Sequence, residues 1–261
     1  MGNTLITSSN KNRDGYKFKD EYELKQGVIN WFSEEPTIYG HISTWNTENI
    51  KDMKYLFFER YEFNENLNEW NVSSVKNMNR MFYQCNKFNQ NLEDWDVGSV
   101  EDTSYMFNFC ENFNQNLNNW DVGSVKNMGH MFGSCIEFDQ DLSKWKVGSV
   151  TDMGSMFASC SKFNQDLSKW NVRSVKDMRN MFSGCKKFNQ SLDGWDVRSV
   201  KNMSGMFYGC KTFNQELNNW DVSSAKNMSR MFSGCSELDQ TLNGWDLSKV
   251  KYDKDMFKGC K

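Results

Sequence analysis

The chain has almost no proline or histidine and lacks a long apolar run. Its 261 residues include one proline, Pro36, and two histidines. No stretch reaches the roughly 18 consecutive apolar residues of a transmembrane helix. The first residues contain no apolar segment of the kind that a secretory signal needs, and Ile6 stands where an N-myristoylation motif has serine or threonine. We therefore expect no membrane insertion and no secretion by a signal peptide.

Neither sign of charge dominates the sequence. It carries 31 lysines and arginines against 34 aspartates and glutamates, a net charge of -3. This balance gives no overall attraction to nucleic acid or to an anionic membrane. Aromatic residues make up 15% of the chain and recur at fixed positions, which a disordered polar chain does not require.

A 25-residue repeat organises most of the chain. Nine tryptophans keep this spacing without a slip: Trp45, Trp70, Trp95, Trp120, Trp145, Trp170, Trp195, Trp220 and Trp245. A fixed period in this range is typical of stacked repeat arrays. We expect a flexible N-terminus over residues 1–18, a capping helix within 19–38 and one repeat array over 39–261.

Each repeat has two halves with different periodicities. In the first half, Trp95 and Val97 are two residues apart, as on one face of a strand, and identical strands would pair in parallel about 4.8 Å apart. In the second half, five apolar residues follow helical spacing: Val200, Met203, Met206, Phe207 and Cys210. Ser199 is a candidate N-cap of that helix. Because packed helices need about 8–10 Å, the helical layer should splay and leave the sheet on a concave face.

One cysteine occurs in each of eight repeats: Cys85, Cys110, Cys135, Cys160, Cys185, Cys210, Cys235 and Cys260. This spacing differs from the close pairs of zinc sites and favours a small buried hydrophobe at one packing position. In a splayed helical layer, successive cysteines would lie beyond the roughly 7 Å that a disulfide can span. A flatter layer would make bridging possible.

A Phe-Asn-Gln segment connects the two halves, as in residues 213–215. The phenylalanine is expected in the core. The two amides should bond backbone groups of neighbouring repeats and form a polar ladder. A calcium loop at Asp139 and Asp141 is the alternative, but other repeats carry asparagine, whose neutral amide weakens a cation site.

The two ends of the array differ from its middle. Residues 20–34 show a broad apolar face at helical spacing, with Asp20 and Glu21 at the N-terminal end and Pro36 after the C-terminal end. The last repeat is polar, with Asp253 at a methionine position. It would serve as its own cap or support end-to-end self-association.

These motifs, L-x-x-W-x-V followed by V-x-x-M-x-x-M-F-x-x-C-x-x-F, resemble the BspA-like leucine-rich repeat family. They are most similar to its 25-residue branch in Mycoplasma surface lipoproteins, a domain of unknown function. The motif at residues 39–45, YGHISTW, resembles members from giant DNA viruses, including the marseilleviruses. The resemblance covers about residues 20–261.

The resemblance implies a particular architecture and location. The fold would be an α/β repeat solenoid, a leucine-rich-repeat-like right-handed superhelix of about nine 25-residue coils. A parallel β-sheet would form one face and short helices the other, with an N-terminal capping helix. Because no lipoprotein signal is visible, a virion or the host cytoplasm is the expected location.

Candidate chemistry is sparse. His130 occupies a variable position and is expected to be solvated, whereas His41 is expected to bond the cap. Regular carboxylates such as Asp121 and Asp221 are read as a solvated face, although an acid-base or metal site can be drawn from them. We predict no catalytic residue, cofactor or metal, and hence no enzyme.

The residues beside each tryptophan vary most in charge. They change from acidic to basic along the predicted concave face, and the candidate partner-binding residues are Glu93, Asp94, Asp96, Lys144, Lys146, Lys169, Arg173 and Arg198. Curved repeat arrays use such faces for docking. We expect a non-enzymatic scaffold that binds an unidentified protein and no specific nucleic acid. The alternative is adhesin-like binding of a host surface protein or glycan.

Overall fold

The computed structural model describes residues 15–33 and 38–261. It contains one α-helix, α1, at Glu21–Trp31 and one 3₁₀ helix, η1, at Ile42–Thr44. Elsewhere the described chain consists of turns and single-residue β-bridges. The predictions for residues 1–14 and for Pro36 lie outside the described residues.

Helix α1 lies within the predicted range and packs over the first repeat. The Asp20 side chain caps it by accepting a hydrogen bond of 2.9 Å from the Glu23 amide. Leu24 and Val28 are buried. Gly27 lets the helix approach closely, since a Cβ there would come within 2.8 Å of the Phe18 ring. The helix therefore covers the apolar start of the stack.

The predicted α/β fold class is wrong, because within the described residues the repeats contain neither a strand nor an α-helix. The predicted strand around Trp95 is two turns, with the Trp95 amide bonded to Leu92 O at 3.1 Å and the Val100 amide bonded to Val97 O at 2.9 Å. Apart from the bridge between Lys17 and Asn46, the β-bridges lie in the other half, where a helix was expected. They join parallel partners on consecutive repeats, such as Asn77 and Asp102.

The segment predicted to be helical instead divides its backbone hydrogen bonds between two partners. Every second amide in residues 78–84 donates to the next repeat: Met78, Arg80, Phe82 and Gln84 reach the carbonyls of Asp102, Ser104, Met106 and Asn108 at 2.8–3.0 Å. Between them, the Met81 and Tyr83 amides donate to carbonyls three residues back at 3.1 and 3.2 Å, and the Asn79 amide donates to Asn77 Oδ1 at 2.9 Å. An α-helix needs bonds four residues back, so this pattern excludes one.

Left-handed residues interrupt the segment at regular positions. Arg80 has φ 54° and Gln84 has φ 58°. Gly205 and Gly209, at the equivalent positions five repeats further along, have φ 60° and 67°. Such residues occur singly and do not continue a right-handed helix. Because the segment is a series of three-residue turns, an apolar side chain faces the core every three or four residues. This is the spacing that predicted a helix.

This arrangement keeps both halves of each repeat, here called a coil, at a similar spacing. Ring centroids in neighbouring coils lie 5.6 Å apart for Phe82 and Phe107, and 6.3 Å apart for Trp95 and Trp120. Because no helical layer forces the coils apart, the expected splay and concave sheet face have no basis in the structure.

Columns of stacked side chains form the core. The repeated tryptophans and phenylalanines are at most 3% exposed from Trp45 to Trp220. From Trp70 onward, each repeated tryptophan also bonds the preceding coil, as Trp120 Nε1–H does by donating to Leu92 O at 2.9 Å. One residue type thus supplies both apolar burial and a polar link that sets the register.

The cysteines form a second buried column, which confirms their interpretation as small core residues from Cys85 to Cys235. Cys110 Sγ–H donates to Phe82 O of the preceding coil at 3.0 Å. The cysteines are free thiols, although the layer is flat. Burial raises the pKa of Cys85 and Cys235 to about 12.

The predicted amide ladder is confirmed. The Asn114 amide donates to Asn89 Oδ1 at 3.0 Å, and Gln115 Nε2 donates to the same oxygen at 2.9 Å. Asp139 takes the place of asparagine, and its Oδ1 accepts from the Asn164 amide at 2.9 Å. The carboxylate of the alternative calcium loop is therefore used within the ladder.

Replacing one ladder asparagine should destabilise the fold. Asn164 Oδ1 accepts from the Asn189 amide at 2.9 Å, so N164A leaves that amide without its partner and should cost about 1–3 kcal/mol. Asn218 is exposed, and N218A should change stability by less than about 0.5 kcal/mol. Urea unfolding measures both. Equal midpoints would contradict the ladder's contribution.

The buried thiols should make stability fall at alkaline pH. Their folded pKa is raised, whereas an unfolded thiol loses its proton near pH 8.5. The folded state then binds more protons, so stability is fully present below that pH and is lost as pH rises toward 12. Each thiol should lower the free energy of unfolding by about 1.4 kcal/mol per pH unit in this window.

The control for this prediction removes a single thiol. Burial raises the pKa of Cys160, so C160A should reduce the slope of stability against pH by one proton. Urea unfolding between pH 8 and 11, followed by tryptophan fluorescence, gives both slopes. Identical slopes would show that the thiols do not control alkaline unfolding.

Candidate binding surfaces

The eight predicted partner-binding residues lie beside the tryptophan column, and we call them the charged strip: Glu93, Asp94, Asp96, Lys144, Lys146, Lys169, Arg173 and Arg198. Seven are exposed and Glu93 is half-buried. The stacked tryptophan rings, such as Trp145 and Trp170 at 6.2 Å, keep neighbouring members of the strip in line along the array.

The acidic members of the strip are bonded to neighbouring groups. Glu93 Oε1 accepts from Asn116 Nδ2 at 3.1 Å and from Asn119 Nδ2 at 2.9 Å. Asp94 Oδ2 accepts from Asn68 Nδ2 at 2.8 Å. These carboxylates link coils, which reduces their availability to a partner.

The basic members divide into bonded and unbonded groups. Lys144 Nζ donates to Asn119 Oδ1 at 3.0 Å. In contrast, the side chains of Lys146, Lys169 and Arg173 make no hydrogen bond or ion pair within the described chain. These three cations are the members of the strip that are available to an acidic partner.

The carboxylate that follows most tryptophans has a structural contact. Asp121 Oδ1 accepts from the Gly123 amide at 3.1 Å, and Asp221 Oδ1 accepts from the Ser223 amide at 3.0 Å. Asp196 also receives the Arg198 guanidinium at 2.9 and 2.7 Å. The Arg198 bonds lower the pKa of Asp196 to about 2. This column therefore orders turns, which the interpretation as a solvated face missed.

A ladder of aromatic and cationic side chains lies on the other half of the coils. The Arg80 guanidinium is 5.4 Å from the Tyr55 ring and 4.3 Å from the Tyr105 ring. His130 stacks on Tyr105 at 4.3 Å and is half-buried, so the prediction of a solvated histidine was wrong. Burial and the nearby Arg179 lower the pKa of His130.

Small residues continue this surface toward the C-terminal coils. They leave an open groove of about 680 Å³, and its lining includes Ser183, Ser204, Tyr208, Arg230 and Lys254. The aromatic ladder and the groove both involve the variable residue that recurs at 25-residue spacing. The sequence shows that residue, but the predicted helix did not place its copies in one column.

A third exposed column, here called the lysine column, follows the valine of the V-K-N-M motif. Its members are Lys51, Lys76, Glu101, Lys126, Thr151, Lys176, Lys201, Lys226 and Lys251. Glu101 pairs with Lys76 at 3.5 Å and with Lys126 at 2.8 Å. These two lysines lower the pKa of Glu101, Lys126 more than Lys76. The motif was visible in the sequence, but the predicted helix hid its alignment.

The second histidine contacts the cap, but through ring packing and not through the expected bond. His41 packs edge-on against Trp31 of α1, with ring centroids 4.9 Å apart. It also accepts from the Ser43 amide at the start of η1.

Neither a metal-ligand cluster nor a membrane-spanning helix is found in residues 15–33 and 38–261. There, no three histidine, cysteine, aspartate or glutamate side chains cluster closely enough to hold a metal ion. None of the helices described is long and apolar enough to span a membrane.

Comparison with known families identifies the repeat. The family described as Mycoplasma protein of unknown function, DUF285, matches residues 26–134, 92–195 and 165–261 in overlapping stretches. The chain belongs to this family. The successive matches confirm tandem repetition across nearly the whole array. No curated protein and no solved structure matches the chain.

Removing the Arg198 side chain should raise the pKa of Asp196. In R198Q, the pKa should move from about 2 toward the ordinary value of about 3.9, because the two guanidinium bonds are lost. R173Q is the matched control, since Arg173 makes no side-chain bond to that carboxylate and should change the pKa less. NMR titration of the carboxylate measures both. An unchanged pKa in R198Q would contradict the assigned cause.

Proposed function

We propose that this protein is a non-enzymatic scaffold that binds a protein partner through its repeat surface. The observation that supports the proposal is the division of each coil into buried constant positions and exposed variable positions. Trp145 and Phe157 are at most 3% exposed, while Lys144 and Lys146 beside that tryptophan are exposed. Specificity in such an array resides in the exposed columns.

The basic part of the charged strip is the proposed contact. Lys146, Lys169 and Arg173 lie on two consecutive coils and have no acidic partner within the described chain. A partner with a matching acidic patch would gain electrostatic complementarity, which mainly sets specificity and the rate of association. Glu93 and Asp94 would keep the neighbouring coils in register.

The finer proposal is that the protein is a structural or packaged component of a giant-virus particle. Its support is the similarity of residues 39–45 to the corresponding motif of family members from those viruses. The alternative is an adhesin-like protein that binds a host surface protein or glycan, as its resemblance to bacterial surface proteins suggests.

Charge reversal tests the scaffold. K146E/K169E/R173E should lose the partner that the unmodified protein captures from lysed virus particles, because the reversed charges repel an acidic patch. K186E/K187E/K211E changes net charge equally at three other exposed positions and should retain the partner. Quantitative mass spectrometry of the captured material measures both.

The same capture experiment separates the alternatives. A partner retained equally by both variants would show that the strip is not the contact. Capture of a host surface glycoprotein from cell lysate, with nothing retained from particles, would favour the adhesin.

A further inference from the structure

Four consecutive members of the lysine column carry no compensating charge. Lys176, Lys201, Lys226 and Lys251 are exposed. Within the described chain, no carboxylate lies within ion-pairing distance of any of them, whereas Glu101 pairs with Lys76 and Lys126 in the earlier coils. The later coils therefore present an uninterrupted line of ammonium groups on a protein whose net charge is -3.

Backbone hydrogen bonds hold this line at a fixed pitch. The Lys201 amide donates to Lys176 O at 2.9 Å, the Lys226 amide to Lys201 O at 2.8 Å and the Lys251 amide to Lys226 O at 2.9 Å. Bonds of this kind place neighbouring strands about 4.8 Å apart, so the four lysines span about 14 Å.

The fold itself does not require lysine at these positions. Glu101 and Thr151 occupy the same column and make the same backbone bond to the preceding coil. Like charges placed directly opposite one another are destabilising. A repulsive line that the backbone does not need is typical of a functional surface.

The surroundings of the line favour one class of ligand. Ser199 and Ser224 lie two residues before Lys201 and Lys226, and Asn202 and Asn227 follow them. The Oδ1 atoms of Asn202 and Asn227 accept from the Ser204 and Ser229 amides, so the asparagine Nδ2 groups and the serine hydroxyls are the groups that can hydrogen-bond sugar hydroxyls. Of the four lysines, Lys251 alone has an aromatic neighbour in sequence, the exposed Tyr252, whereas binding of single-stranded nucleic acid usually uses base stacking on successive aromatic side chains. The apolar residues that precede the first three lysines, Val175, Val200 and Ala225, are buried, so they are not exposed for insertion into a membrane interface.

We propose that the lysine column over residues 176–251 binds a linear acidic polysaccharide lying along the array. Sulfate or carboxylate groups repeated along the sugar chain would accept hydrogen bonds from successive lysine ammonium groups. The flanking serine and asparagine side chains would bond sugar hydroxyls. This site is independent of the proposed scaffold function, because it uses other side chains and another ligand.

Binding of sized heparin oligosaccharides tests the site. The variant K176Q/K201Q/K226Q/K251Q should lose about fivefold in affinity for each lysine, the usual contribution of a basic side chain at an anionic surface. The control K87Q/K186Q/K187Q/K211Q removes the same net charge from exposed positions outside both columns and should bind nearly as the unmodified protein does. Calorimetry at low salt measures both.

Length dependence gives a second readout. Affinity should rise with oligosaccharide length until the sugar covers the line of about 14 Å, and should then level off. The quadruple variant should lose this dependence. Its thermal unfolding temperature should equal or exceed that of the unmodified protein, because the substitution removes repulsion. If that variant does not fold, K176Q/K226Q replaces it, with about a 25-fold expected loss.

Several outcomes would overturn the proposal. Equal losses in the quadruple variant and the control would show that only net charge matters. Tighter binding of single-stranded DNA or of phosphatidylserine vesicles than of heparin would assign the column to another class of ligand. None of these outcomes bears on the charged strip, which the capture experiment tests with different substitutions.

Discussion

The alternation of backbone hydrogen bonds in residues 78–84 and their counterparts is the constraint on which the structure depends. One set of amides donates to the next coil and the other set closes turns within its own coil. Neither set alone would suffice, since short turns are not stable by themselves and unpaired amides are costly to bury. Together they satisfy the segment and hold equivalent residues in register along the array.

Once equivalent residues are stacked, the chemistry of each column follows from its side chain. Aromatic rings gain burial and stacking, as in Trp195 and Trp220, whose planes differ by 2°. Asparagine can both donate and accept, so a copy such as Asn189 bonds the next without a change of residue type. The lysine side chain can only donate and carries a positive charge, so stacked lysines cannot bond one another and repel. The same regularity therefore stabilises some columns and strains others.

Features that depend only on the period could be predicted from the sequence, whereas features that depend on the backbone path could not. A backbone that places every 25th residue in the same position is enough to form the tryptophan column, the buried cysteine column and the Asn-Gln ladder. The spacing of Met203, Met206 and Phe207 is consistent both with a helix and with a series of three-residue turns. The left-handed conformation at positions such as Arg80 and His130 distinguishes the turns from a helix. These residue types do not predict that conformation.

The wrong prediction of a helix also explains why the lysine column was not predicted from the sequence. If each repeat contained a helix, Lys176 and Lys201 would lie on separate helices about 8–10 Å apart. A continuous hydrogen-bonded ladder instead brings them to about 4.8 Å, where repulsion is appreciable. The charged strip was located because it flanks the tryptophans, but its internal bonds depend on the close coil spacing. A surface that repeats at the pitch of its own backbone is best matched by a ligand that also repeats, which distinguishes the lysine column from the irregular charged strip.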